Sequence, residues 1–217
     1  MKDIAIFGAG GFGREVACLI RSINESIGVK DEEWHLIGFF DDVKEKGYKT
    51  EFGEVLGGMD ALNDWPTPVA VAIAIGSPRA VKAISGKITN SLVYFPTLIA
   101  PDVTFYDRDS VTLGKGNIIC SQCLVSLNVS FGDFNIFNNF ITVGHDVVIG
   151  NYNSIMPAAR ISGNVSFGDC NFIGVASIIL QTIKIGNNTT VGAGSVVMRK
   201  TKDGCTYVGN PAKKVEY

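Results

Sequence analysis

The sequence predicts a small α/β domain followed by a parallel β-helix of hexapeptide repeats. Three observations carry this reading: an apolar residue at every sixth position of the second half, a longer phrase recurring there every 18 residues, and strands alternating with helices over residues 1–95.

The six-residue step runs unbroken through Leu113, Ile119, Val125, Phe131, Phe137, Val143, Ile149, Ile155, Ile161, Phe167, Ile173, Ile179, Ile185, Val191 and Val197. Over it lies the phrase Val129-Ser-Phe-Gly-Asp-Phe-Asn135, which returns as Val147-Val-Ile-Gly-Asn-Tyr-Asn153 and Val165-Ser-Phe-Gly-Asp-Cys-Asn171. Eighteen is three sixes, so three short strands and three corners complete one turn of a triangular prism. Side chains alternate along a strand, which puts each anchor and the residue two before it on the inward face. Most anchors are stiff β-branched residues suited to stacking on their copies one coil away. About five coils at about 4.8 Å each give a prism about 24 Å tall. Glycine follows the anchor at 114, 132, 144, 150, 168, 174, 186 and 192, as suits a corner. A β-sandwich with chance periodicity is the alternative, and an unbroken register of this length argues against it.

In the first half, Asp3 to Gly10 reads as a buried strand ending in glycines, and Gly13 to Asn24 as a helix with Val16, Ala17, Leu19, Ile20 and Ile23 on its apolar side. A second strand, Trp34 to Phe40, ends at Asp41 and Asp42; a third, Pro68 to Gly76, precedes a helix from Arg79 to about Ile88. This order implies a small parallel sheet covered on its faces. Gly8-Ala-Gly10-Gly-Phe-Gly13 satisfies the dinucleotide fingerprint of Rossmann-like domains, whose glycines let a phosphate approach a helix N-terminus. The aspartates ending the second strand stand where a ribose hydroxyl would be read, so a nicotinamide dehydrogenase is the obvious competitor. Yet the unit is about half the usual doubly wound domain and leads into a β-helix, which makes a nucleotide other than NAD the more economical ligand.

Composition removes other classes. The chain is 46% hydrophobic and 18% charged with a net charge of −2, so no basic field awaits a nucleic acid. The apolar stretch Ile4 to Phe7 meets glycines, Arg14 and Glu15 too soon for a signal peptide or membrane span. Five cysteines, an odd number at irregular spacing, fit a reducing compartment, and a cytoplasmic protein is expected. Cys120-Ser-Gln-Cys123 has no second pair or histidine cluster to complete a zinc site, so the cysteines are read as fillers of small-residue slots and no metal is expected.

Only two histidines can supply an imidazole. His35, in a predicted strand, reads as structural. His145 lies two residues after anchor Val143, with Val147 taking the next inward slot, so its ring must project at a corner. Asp146 follows and can accept the ring's other N–H if the corner brings the two together. Such a pair can serve as a base, with backbone N–H groups at glycine corners as donors to an oxyanion.

The chain resembles the sugar O- and N-acetyltransferases that join a Rossmann-like cap to a left-handed β-helix, the sialic acid O-acetyltransferase and bacillosamine-pathway N-acetyltransferase type. The resemblance rests on Gly8-Ala-Gly-Gly-Phe-Gly-Arg-Glu-Val16, Phe39-Phe-Asp-Asp42, Ala74-Ile-Gly76, Gly144-His-Asp-Val-Val-Ile-Gly150 and Val208-Gly-Asn-Pro-Ala-Lys213. It implies a nucleotide-sugar-binding domain over 1–95, a left-handed β-helix acyltransferase domain over 96–200 and a tail over 201–217 that contributes to the coenzyme A site. By the same resemblance His145 is the base and Asp146 raises its basicity. Gly10, Gly11, Phe12, Asp41, Asp42, Gly76 and Asn138 hold the nucleotide-linked sugar, while acetyl-CoA lies near Ser154, Gly163, Val175 and Ala193 between subunits of a homotrimer. Phe12 stands where relatives often carry histidine, and Ser154 where some do. The implied activity is acetyl transfer from acetyl-CoA to the amine of a nucleotide-linked amino sugar in bacterial surface-glycan synthesis. O-acetylation of a sugar hydroxyl and a non-catalytic nucleotide-sensing scaffold are the competing readings. The outward aromatics Phe134, Phe140 and Tyr152 are expected to be buried between subunits.

Overall fold

The computed structural model describes residues 1–27 and 33–215; the last two residues of the expected tail lie outside them. In the cap, β1 (Lys2–Phe7) leads into α1 (Gly11–Ile27), followed by β2 (Trp34–Phe40), β3 (Lys49–Thr50), β4 (Gly53–Gly57), α2 (Met59–Asn63), β5 (Val69–Ile73), α3 (Pro78–Lys87) and β6 (Val93–Tyr94). The sheet order is β3-β4-β2-β1-β5-β6, parallel except for the β3–β4 hairpin. Ile4, Ile6, Ala70 and Ala72 belong to one apolar core, and Ala5, Phe7, Val69 and Val71 to another on the opposite side. Strands buried on both faces explain why β1 and β5 read as continuous apolar runs rather than alternating ones. The chain leaves β1 toward β2 on one side and returns through β5 on the other, so the loops after β1 and β5 diverge and open a crevice at their carboxyl ends.

From Leu98 onward two-residue strands stack into three faces. The first runs through Leu98–Ile99, Ile118–Ile119, Ile136–Phe137, Ser154–Ile155, Phe172–Ile173 and Thr190–Val191. The second includes Leu124–Val125, Thr142–Val143, Arg160–Ile161 and Ile178–Ile179; the third includes Ser130–Phe131, Val148–Ile149 and Ser166–Phe167. Every pairing is parallel with partners 18 residues apart within the repeat, and the β-helix winds left-handed. The tail extends the first face, with Thr206–Val208 pairing parallel to Thr190–Val191 and Lys213–Lys214 folding back antiparallel.

Anchors from Ile119 to Val197 are buried at 5% exposure or less and form one core with the residues two before them, among them Val147, Ile141 and Val165. At the corner between the third and first faces that inward slot holds Asn117, Asn135, Asn153 and Asn171, all 0% exposed. Buried amides need partners, and here they supply one another: the N–H and Nδ2 of Asn153 both reach Asn135 Oδ1, at 2.9 and 3.0 Å, and Asn171 repeats this on Asn153.

Two sequence expectations need correcting. The glycine after each anchor is not the residue that turns the corner. The turning residue lies three after the anchor, where twelve non-glycine residues adopt φ between 51° and 64°. Each of Phe140, Asp146, Tyr152, Ala158 and Asn164 there donates its N–H to a carbonyl of the coil below, which holds the left-handed backbone in place. The glycines are required by coil-to-coil approach: a Cβ on Gly150 would lie 2.7 Å from the Gly168 carbonyl oxygen, and one on Gly132 would lie 2.7 Å from that of Gly150. The second correction concerns the aromatics. Phe134 is 4% exposed and packs edge-on to Phe95 at 4.9 Å and flat on Tyr152 at 5.4 Å, so both rings join the cap core of the same chain. Outward from the prism is here inward to the cap. Phe140 alone of the three stays open, at 50%.

The cap sits on the first face. Helix α1 places Val16, Ala17, Leu19 and Ile20 against a core that also contains Leu98, Ile118 and Cys120 of the prism. Among the described residues no helix is long and apolar enough to cross a membrane.

Candidate active site

The glycine turn is fixed before any ligand arrives. Gly8 takes φ +109°, and a Cβ on Gly13 would meet its carbonyl oxygen at 1.8 Å, so α1 can start this close to β1 only with glycine there. Asp41 at the end of β2 staples the turn: Oδ2 accepts the Ala9 N–H at 2.8 Å, and Oδ1 accepts those of Val43 and Lys44 at 2.8 and 3.0 Å. Partial burial pushes this carboxyl up, but the donors from Ala9, Lys44 and Val43 outweigh it and hold Asp41 below the usual carboxylate range. Asp42 accepts the Met59 N–H at 2.7 Å at the start of α2. Both aspartates therefore have structural duties in this chain.

Around Gly10 and Gly11, where an added Cβ would meet nothing within 4 Å, lies a cavity of about 170 Å³ that also touches Arg14, Lys44, Tyr48 and Lys49. Gly11 lines a second cavity, of about 210 Å³, with Phe12, Glu15, Gly76, Asn138 and Met156. The crevice thus gathers five of the sequence-derived sugar-nucleotide residues: Gly10, Gly11, Phe12, Gly76 and Asn138. It adds Met156, and Glu15, which the sequence brings in only as part of the Gly8 to Val16 motif.

His145 lies elsewhere, at the edge between the second and third faces. Adjacent strand residues diverge, but Asp146 has φ +58°, and this turns its carboxylate back so that Oδ2 lies 2.8 Å from His145 Nδ1. Both side chains remain open, at 61% and 50% exposure. With the carboxylate accepting the Nδ1 proton, Nε2 carries the free lone pair. The His145 hydrogen bond, then one from Asn128 Nδ2 at 3.1 Å, hold the Asp146 carboxyl below the usual range. Asn128 is the residue 18 before Asp146, on the same corner one coil down; that spacing was the available signal for it.

The coenzyme residues expected from resemblance fall in three places. Gly163 lies one coil above His145, and a Cβ there would stand 2.6 Å from Nε2. Val175 and Ala193, each two residues after an anchor, stack on the edge between the first and second faces, the edge that also carries Asn138. Ser154 is 1% exposed on the cap-covered first face. Asn138 and His145 border the second face from opposite sides, separated by roughly 15–20 Å of strand and corner.

The cysteines of the 120–123 pair point to opposite sides of their coil. Cys123 lies in the prism core with its thiol 3.0 Å from the Asn138 carbonyl oxygen, and Cys120 faces the cap. Burial pushes Cys120 up to about 12 and Cys123 up to about 11. Among the described residues no group of three or more His, Cys, Asp and Glu side chains could hold a metal ion.

A nucleotide-type crevice in an α/β cap, joined to a β-helix whose edge exposes a His–Asp pair, defines the class: a capped hexapeptide-repeat acyltransferase. Comparison with known proteins agrees. The PglD N-terminal domain family matches residues 3–88. The acetyltransferase domain of PglB from Neisseria gonorrhoeae, solved with acetyl coenzyme A, is 29% identical with a TM-score of 0.86 over 99% of both chains. WeeI from Acinetobacter baumannii is 28% identical with a TM-score of 0.87 over 99% of this chain and 100% of that one. PerB from Caulobacter crescentus, solved with CoA and GDP-perosamine, is 25% identical with a TM-score of 0.85 over 100% of this chain and 98% of that one. No curated protein matches by sequence. The cap thus matches the PglD N-terminal domain, and over its whole length the chain is similar to solved sugar acetyltransferases with that cap and a left-handed β-helix.

Proposed function

We propose that this protein transfers the acetyl group of acetyl-CoA to the amine of a nucleotide-linked amino sugar, of the 4-amino-4,6-dideoxy type, in bacterial surface-glycan synthesis in the cytoplasm. The observation that carries the reading is the His145–Asp146 pair, whose ring is 61% exposed at a β-helix edge and is bonded to the carboxylate through Nδ1, leaving Nε2 for the acceptor. The acceptor amine attacks the thioester carbonyl, the C–S bond breaks, and CoA leaves as the thiol. His145 Nε2 takes the proton the amine loses and returns it to the departing sulfur, a role worth typically 10²- to 10⁴-fold in rate. Asp146 holds the ring in that tautomer, and no covalent enzyme intermediate is required.

The crevice with Gly10, Gly11, Phe12, Gly76 and Asn138 would hold the nucleotide and its sugar, with Asp41 bracing the turn at Ala9 and Asp42 tied to the start of α2. Gly163, Val175, Ala193, Ser154 and the tail are the candidates for contact with the coenzyme. Because crevice and base flank one prism face from opposite sides, a single chain does not complete the site. A homotrimer would, by setting the His145 edge of one copy beside the crevice of the next. Exposed apolar residues along these margins, Leu127 at 41%, Phe140 at 50% and Ile178 at 36%, fit such packing.

The test is release of free CoA when acetyl-CoA is offered with UDP-, GDP- or dTDP-linked 4-amino sugars and their 4-hydroxy counterparts. Turnover with an amino sugar and its collapse in His145→Ala are expected. Turnover confined to hydroxy sugars would make this an O-acetyltransferase, and no turnover with any would favour the scaffold reading. A monomer by light scattering at micromolar concentration would remove the trimer.

A further inference from the structure

We propose that Asn128 is a positioning residue for the base, holding the Asp146 carboxylate so that it in turn fixes the His145 ring; this rests on His145 acting as the base. The reasoning starts from what a lone Asp146 would do. Its side chain is half exposed at a tight corner, and a carboxylate bonded only through one oxygen can rotate about its terminal torsion, which is broad and soft. A second, differently directed bond removes that freedom. Asn128 supplies it from the coil below: Nδ2 donates to Oδ1 at 3.1 Å while Oδ2 faces His145 Nδ1 at 2.8 Å, so the two oxygens are divided between the two partners.

Asn128 is itself anchored. It has φ +55°, a backbone conformation asparagine tolerates well, and its N–H donates to Ser110 Oγ at 2.9 Å, a hydroxyl that donates to the Asp107 carbonyl at 3.0 Å. Coil stacking also holds the backbone of the pair from below and above: the Asp146 N–H donates to the Leu127 carbonyl at 3.0 Å, and the Asn164 N–H donates to the His145 carbonyl at 2.8 Å. The chain Ser110, Asn128, Asp146, His145 therefore climbs one edge over three coils and ends at Nε2. An aspartate at 128 would face Asp146 with a like charge, and alanine would lack the donor, so an amide is the side chain this slot requires.

The test compares Asn128→Gly, Asn128→Asp and His145→Ala with the wild type in full-length protein. Glycine accepts the left-handed backbone, so Asn128→Gly removes the amide without strain. Expected are kcat lower by about tenfold in Asn128→Gly, lower still in Asn128→Asp, KM for both substrates unchanged, and no added loss when Asn128→Gly is combined with Asp146→Ala. Wild-type kcat in Asn128→Gly, a change confined to KM, or an equal loss in the Asp146→Ala background would overturn the assignment. If His145→Ala is inactive while Asn128→Gly is not impaired, the base stands and only Asn128 is dismissed; if His145→Ala turns over normally, both fall.

Discussion

The molecule contains two histidine–aspartate contacts of nearly equal geometry. His35 Nδ1 lies 2.9 Å from Asp3 Oδ1 and His145 Nδ1 lies 2.8 Å from Asp146 Oδ2, and the rings are 60% and 61% exposed. Distance and exposure do not distinguish them, but surroundings do. Asp3 and His35 are register partners across β1 and β2 near the amino ends of those strands, whereas ligands of open parallel sheets gather at the carboxyl ends. His145 stands on an edge where the coil below directs its aspartate and the coil above, through Gly163, leaves its ring room. A pair becomes a site through what holds it and what space it faces.

The sharpest way to break this comparison is to remove each ring in turn. His145→Ala should lower kcat by about 10²- to 10⁴-fold, while His35→Ala, a surface change away from the crevice, should leave it within about twofold. Equal effects in steady-state assays would mean that the environments do not matter. Gly163→Ala should come next, with kcat down by about 10²-fold, because a methyl 2.6 Å from Nε2 displaces the ring by a fraction of an ångström to an ångström. Circular dichroism should stay that of the wild type, since the ring is the flexible end of a side chain.

Two smaller effects follow from charge. Asp146 is held below the usual carboxylate range, first by His145 and then by Asn128, so its stabilising bonds are present above about pH 4 and lost as pH falls through its lowered value. Removing Asn128 should raise the pH at which the Asp146 side-chain carbon resonance titrates by NMR. At the alkaline end, thiols raised to about 12 for Cys120 and about 11 for Cys123 stay protonated in the folded chain when unfolded thiols have ionised. Their contribution is intact below about pH 9 and declines as pH rises from there toward 11 and 12. Thermal melts should show this decline, and Cys123→Val, Cys120→Ala protein should show less of it.

The prism was legible in the sequence because its side-chain rhythm is its geometry: a coil that lost register would expose Ile155 or Ile173, which are 0% exposed. His145 could be placed at a corner by the same rhythm. Its contact with Asp146 could not, because it depends on a positive φ that aspartate's identity does not announce. Asn128 went unnoticed because asparagine is an ordinary corner residue, and only the stacking of coils puts its amide beneath a carboxylate. Phe134 and Tyr152 pack against the cap of their own chain, contrary to the sequence expectation, for a related reason. A repeat defines outside relative to itself and says nothing about a second domain lying there.

The glycine column has a consequence for length. Since Gly132 and Gly150 set coil against coil at backbone contact, vertical distances along the prism come only in whole steps of about 4.8 Å. Inserting or deleting one 18-residue unit above Asn171 would keep every corner in its column and move the tail by one step relative to His145. A protein built this way can change how far its tail stands from its imidazole only in whole coils, like a rack that admits shelves at fixed pegs.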